Sequence, residues 1–208
     1  MRVLGLDPGS RRTGYGLVEK NGNRLTCLAH GTVAPAARLG LPQRLHAIAG
    51  RVGELIESGR PDVVVVEQAF YHESARSTLV LGHVRGALLV TAVQRGVEVA
   101  EYSPREIKMS VTGTGAAAKE QVAFMVSRLL RLPAGLPADA ADALACALCH
   151  LQRARISAPA RAASAAALRL EALLAGRNGP PSPPRSTPQS APRSTARSTP
   201  RSTPRSTG

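Results

Sequence analysis

Residues 1–154 of this 208-residue chain predict an α/β fold, and three observations carry the prediction. Val63-Val64-Val65-Val66 has no polar side, so it reads as a strand covered on both faces, the habit of a central strand in a parallel sheet. Leu45, Ile48, Val52, Leu55 and Ile56 recur at helical spacing between Pro42 and Glu57, with Arg, Glu and His between them. Short apolar runs and amphipathic stretches alternate on both sides of these two segments. Beyond Arg155 the pattern stops. An Ala/Arg-rich helix or linker is expected over 155–178 and a disordered tail over 179–208, where the unit Arg-Ser-Thr, which has no apolar residue to build a core, starts at 185, 193, 197, 201 and 205.

Val3-Leu4-Gly5-Leu6 is a short buried strand, closed by the turn chemistry of Asp7-Pro8-Gly9-Ser10. Thr13 to Val18 alternates as a second strand, and Asn21-Gly22-Asn23 turns it into a third over Leu25 to Thr32, a hairpin-rich opening. After the helix at 42–57 and the valine strand, the segment up to about Gln94 is helical. Its Leu79, Gly82, Gly86, Val90 and Val93 fall near one stripe, and the glycines permit close packing against the chain's own sheet or a second copy. Val97 to Glu101 forms a short strand. Ser103-Pro104-Arg105-Glu106 is a capping box with proline at the first helical position. Thr112-Gly113-Thr114-Gly115 breaks the chain before a helix from about Ala116 to Leu132, and a last helix begins with Pro137 at its first position.

The formal charge is +13, and residues 155–208 carry nine Arg against one Glu, so most of the excess lies in the tail. A polyanion, nucleic acid above all, is the default partner. Three cysteines, Cys27, Cys146 and Cys149, are too few to staple a domain of this size and fit a reducing, cytoplasmic location. Cys146-Ala-Leu-Cys149-His150 matches the c-type haem attachment pattern, but it falls inside a helix and no export signal accompanies it, so haem is set aside. No apolar run reaches membrane-spanning length. The glycine-rich break lacks the Gly-Lys-Ser/Thr end of a P-loop, which argues against a nucleotide there.

Chemistry concentrates in four acids. Asp139 and Asp142 share one face of the last helix, set among Ala and Leu that ask for burial. On their own, two acids in a first helical turn equally complement the helix dipole. Asp7 and Glu67, however, each end an apolar strand, and in open α/β sheets functional groups gather at strand carboxyl ends. Four carboxylates from three segments suggest one metal site, and a donor set of oxygen alone selects Mg²⁺, with Mn²⁺ as substitute and two ions per subunit expected. Only three of 27 basic residues are Lys; Lys108 and Lys119 offer compact charges suited to a phosphate. Phe70 and Tyr71 follow Glu67 in a chain with two Phe and three Tyr, so Phe70 is a candidate for stacking on an unpaired base, against the plainer reading of a hydrophobic plug.

Leu4-Gly5-Leu6-Asp7-Pro8-Gly9-Ser10 with Thr13-Gly14-Tyr15-Gly16, Val66-Glu67-Gln68, Lys119 with Gln121, and Ala138-Asp139-Ala140-Ala141-Asp142-Ala143-Leu144-Ala145 closely resemble the RuvC family of Holliday junction resolvases, from about residue 1 to 153. The resemblance implies a ribonuclease H-like fold, a five-stranded mixed sheet flanked by helices whose first three strands are antiparallel. It implies a homodimer that cuts a four-way DNA junction by symmetric paired nicks, leaving 5′-phosphate ends, together with the branch-migration proteins RuvA and RuvB. Carried over by position, Asp7, Glu67, Asp139 and Asp142 match the metal ligands, Lys108 and Lys119 match basic residues near the scissile phosphate, and Phe70 matches an aromatic contacting junction bases. The tail matches nothing in the family.

Two other classes compete. An actin-like ATPase would need a second phosphate-binding loop and an adenosine motif, and neither is found. A noncatalytic junction binder explains the basic tail but gives four converging carboxylates no purpose beside DNA. A branched-RNA or ribosomal RNA nuclease of the same fold is a nearer rival, separable by substrate.

Overall fold

The structure is a computed structural model that describes residues 1–68, 74–133 and 135–154. Phe70 and Tyr71, the Ala/Arg-rich stretch and the repeat tail lie outside the described residues. Strands β1 (Arg2–Asp7), β2 (Thr13–Asn21), β3 (Arg24–Val33), β4 (Val63–Glu67) and β5 (Glu98–Tyr102) form one sheet in the order β3-β2-β1-β4-β5. The β1–β2 and β2–β3 pairs are antiparallel, and the β1–β4 and β4–β5 pairs are parallel. Among the described residues the helices are α1 (Leu41–Gly59), α2 (Ala75–Gln94), α3 (Pro104–Thr112), α4 (Lys119–Leu130) and α5 over 138–154.

The four valines explain the layering. Side chains of a strand alternate between faces. Val63 and Val65 join Val3 and Val18 in a core with Ile107 of α3, Val126 of α4 and Leu144 and Leu148 of α5. Val64 and Val66 join Leu4 and Leu6 on the other face, against Ile48, Val52 and Ile56 of α1 and Val84 and Leu88 of α2. Covering both faces of β4 leaves all four valines buried and fixes it inside the sheet. The same alternation sends Asp7, two residues past Gly5, and Glu67, two past Val65, to the face that carries α5.

Some expectations shift. Pro137 sits just outside α5: its carbonyl accepts the Ala141 N–H at 2.9 Å, so the helix begins one residue later. Gly113, with φ +79°, closes α3, and α4 starts at Lys119 rather than near 116, where the Gln121 side chain accepts the Ala118 N–H at 2.9 Å. The stripe Leu79, Gly82, Gly86, Val90 and Val93 does not pack on the sheet; α2 buries Val84, Leu88, Thr91 and Ala92 on its opposite side. Among the described residues no helix is long and apolar enough to cross a membrane.

Candidate active site

β1 and β4 are neighbours, with Leu6 paired to Val66, so Asp7 and Glu67 stand side by side at the carboxyl edge of the sheet. Helix α5 brings the other two acids. Its residues 140–149 are buried except for the half-buried Asp142, which a helix of this composition permits because alanine adds little girth. Two glycines set the depth at which it lies. A Cβ on Gly5 would fall 2.0 Å from the Ala143 carbonyl oxygen, and one on Gly14 would fall 1.9 Å from that of Asp139. Only hydrogen fits there, so helix backbone rests on strand backbone and the first turn of α5 reaches the edge where Asp7 and Glu67 end.

Crowding like charges in a half-dry place perturbs them. Asp7 is pushed up to about 8, first by burial, then by the charges of Glu67 and Asp142, and it hydrogen-bonds Glu67. Glu67 is raised as well, mainly by burial, although the hydrogen bond from Asp7 and the charges of Lys119 and Lys108 pull the other way. Burial also raises Asp142, opposed by Lys119 and Lys108. Lys119 Nζ lies 3.6 Å from Asp142 Oδ2. Lys119 at the start of α4 thus pairs with Asp142, and the charge of Lys108 on α3 also acts on Glu67 and Asp142.

Asp139 has a different companion. Arg12 Nε donates to its Oδ2 at 2.6 Å. Arg12 stands in the turn between β1 and β2, which Thr13 Oγ1 braces by donating to the Gly9 carbonyl at 2.7 Å. Asp7 and Glu67 line a cleft of about 1010 Å³, and Arg11, Arg12, Arg44 and Arg76 line it too.

The donor set fits a hard divalent cation: four carboxylates, no thiol or imidazole among them, and mutual repulsion that a cation relieves. As the side chains stand, among the described residues no three acidic, His or Cys groups close on one point. The contacts explain that arrangement: Asp139 leans to Arg12, Asp142 to Lys119, and Asp7 and Glu67 share a hydrogen bond.

All six predicted residues within the described chain, Asp7, Glu67, Asp139, Asp142, Lys108 and Lys119, come to this one edge. Phe70 lies outside the described residues. Sequence reading passed over Arg12, one of many arginines, and the packing glycines Gly5 and Gly14. Glycine inside a strand often marks close backbone approach, and Gly5 and Gly16 face each other in register, which was the available signal.

A mixed sheet in this order, with carboxylates at the ends of its two adjoining parallel strands and on the helix that crosses them, defines a ribonuclease H-like nuclease. A family model described as crossover junction endodeoxyribonuclease RuvC matches residues 3–150. The RuvC proteins of Bordetella avium and Geobacter sulfurreducens are 50% identical over 151 residues and 48% identical over 154, covering 72% and 74% of this chain and 83% and 94% of theirs. The solved Thermus thermophilus RuvC in complex with Holliday junction substrate is 37% identical, with a TM-score of 0.71 over 76% of this chain and 96% of that one. The yeast mitochondrial Holliday junction resolvase Ydc2, at 16% identity and a TM-score of 0.55 over 72% of this chain and 77% of that one, shares the fold. This chain belongs to the RuvC family of crossover junction endodeoxyribonucleases.

Proposed function

We propose that this chain resolves four-way DNA junctions by Mg²⁺-dependent hydrolysis, as a homodimer that places one nick in each of two opposing strands. The observation that carries the reading is the convergence of Asp7, Glu67, Asp139 and Asp142, from two strand ends and one helix, on a single edge of the sheet. These four supply the ion's oxygen ligands. Mg²⁺, or Mn²⁺ in its place, contributes Lewis acidity toward the phosphodiester and makes nearby water a better nucleophile. Lys119 and Lys108 hold positive charge where the pentavalent phosphate gathers negative charge. Burial of Asp7 and Glu67 strengthens each of these interactions relative to water.

The exposed side of α2 supports the dimer. Leu79, Val90 and Val93 are each more than half exposed, and Gly82 and Gly86 between them leave open space for a close neighbour. A two-fold pair of sites suits a two-fold junction. Val90→Lys is expected to shift the chain to monomer in sedimentation. Phe70 as a junction contact, and cooperation with RuvA and RuvB, belong to the same reading by resemblance to the family.

The deciding experiment incubates the purified chain with a synthetic four-way junction and a matched linear duplex, with Mg²⁺ and with chelator, and maps cuts on every strand. Paired Mg²⁺-dependent nicks in opposing arms of the junction alone are expected. Tight binding without cuts under any divalent ion would reduce the chain to a junction binder, and equal cutting of both substrates would make it a different nuclease on this fold.

A further inference from the structure

We propose that Arg12 is a positioning residue of the metal site: its guanidinium holds the Asp139 carboxylate, and a divalent ion competes with it for that oxygen. The inference rests on Asp139 being a metal ligand, as read above. Among the described residues two ion pairs touch the acids, and they differ. Lys119 reaches Asp142 only at 3.6 Å, whereas Arg12 donates from Nε to Asp139 Oδ2 at 2.6 Å, within the range of short charge-assisted hydrogen bonds.

The mobile partner in this exchange is the arginine. Asp139 backbone lies against Gly14 with no room even for a methyl group, so the first turn of α5 is seated on β2. The turn bearing Arg12 is pinned by the Thr13 hydroxyl on Gly9. What remains is side-chain rotation, and the Arg12 side chain is 61% exposed against 29% for Asp139. Arg12 also lines the cleft that Asp7 and Glu67 line, so a guanidinium released from Asp139 stays beside the site, where a phosphodiester is its natural acceptor. Arg12 thus stands between the two ligands of the reaction: it competes with the cation for one Asp139 oxygen, and from the cleft it can offer the same charge to DNA.

The test is calorimetric titration of Mn²⁺ into the full chain without DNA, for the unsubstituted protein, Arg12→Ala, Arg12→Lys, Asp139→Asn and the Arg12→Ala/Asp139→Asn pair, with circular dichroism as a check of folding. Arg12→Ala is expected to bind Mn²⁺ about two- to fivefold tighter, the scale of an exposed ion pair. Arg12→Lys, which keeps charge but loses the fork, should fall between. With Asn at 139 the effect of Arg12 should vanish, a result that a general change of surface charge would not give. Unchanged or weaker binding by Arg12→Ala, or the same gain with Asn at 139, overturns the proposal while leaving the metal site intact. No Mn²⁺ bound by the unsubstituted chain overturns the metal reading itself, and this inference with it.

Discussion

The two ends of α5 obey opposite electrostatic rules. At its first turns, Asp139 and Asp142 are carried toward two more acids, and the result is carboxyl groups raised above their usual range. At its last turn the charged and polar groups are paired. Arg153 pairs with Glu106 at 2.7 Å and lies over the Tyr102 ring at 5.2 Å, and the Tyr102 hydroxyl hydrogen-bonds His150 Nδ1 at 2.9 Å. Glu106 also completes the Ser103 capping box, and the backbone and hydroxyl of Ser103 with Arg153 hold its carboxyl below the ordinary value. One end stores repulsion and the other supplies grip. A helix anchored at its far end and along its buried middle can present like charges that would otherwise push it away.

The strongest way to break this comparison is Asp7→Asn. Cleavage of a four-way junction should fall about 10³-fold or more, the scale on which single preorganised electrostatic groups act, while junction binding in a gel-shift assay stays nearly intact. The same substitution should raise the melting temperature of the metal-free chain at pH 8, because it removes a carboxylate whose ionisation the folded state resists. Equal loss of binding and cleavage would make Asp7 a structural residue and erase the contrast.

Next in size is Gly14→Ala. The added methyl would meet the Asp139 carbonyl oxygen, so α5 must shift at its charged end. Overpacking of this kind costs about 1–3 kcal/mol, read as a lowered denaturation midpoint, and it should reduce cleavage through misplacement of Asp139. Full activity in this variant would show that the depth of the helix is not what sets the site.

The pH dependence sharpens the same point. Asp7 titrates near 8 in the folded chain and near 3.8 when unfolded, so between those values the folded state binds the extra proton. Through Asp7 alone, stability of the metal-free chain should therefore fall as pH rises from about 4 to about 8, by at most about 1.4 kcal/mol per pH unit, the raised Glu67 and Asp142 adding to the fall, and saturating Mg²⁺ should flatten the slope. Urea unfolding across that range, with and without Mg²⁺, measures it. A slope of opposite sign would mean the acids are already compensated by the protein.

The smallest effects belong to the other end. Tyr102→Phe removes one hydrogen bond to His150 and should cost about 1 kcal/mol, and Arg153→Ala, at a partly exposed pair, less than about 1 kcal/mol. Both should leave the cleavage rate unchanged, measured on the junction at saturating Mg²⁺. A large loss of activity from either would mean that the two ends of α5 are coupled.

Much was legible from residue order alone. Side-chain alternation made Val63 to Val66 an internal strand, helical spacing made 42–57 amphipathic, and acids at the ends of apolar runs marked the site, because these signals depend only on near neighbours in the chain. Other features needed the fold. Leu79, Val90 and Val93 looked equally fit for the sheet or for a second copy until α2 buried Val84 and Leu88 instead. Arg12 and Asp139 are 127 residues apart, and nothing in the local sequence of either distinguishes that arginine from its neighbour Arg11. Gly14 could be read as a flexible residue in a strand; only the helix lying across it shows that the missing side chain is what admits Asp139 to the site. Short-range periodicity is written along the chain, whereas which oxygen a guanidinium holds depends on the closing of long loops, and only the tertiary structure decides it.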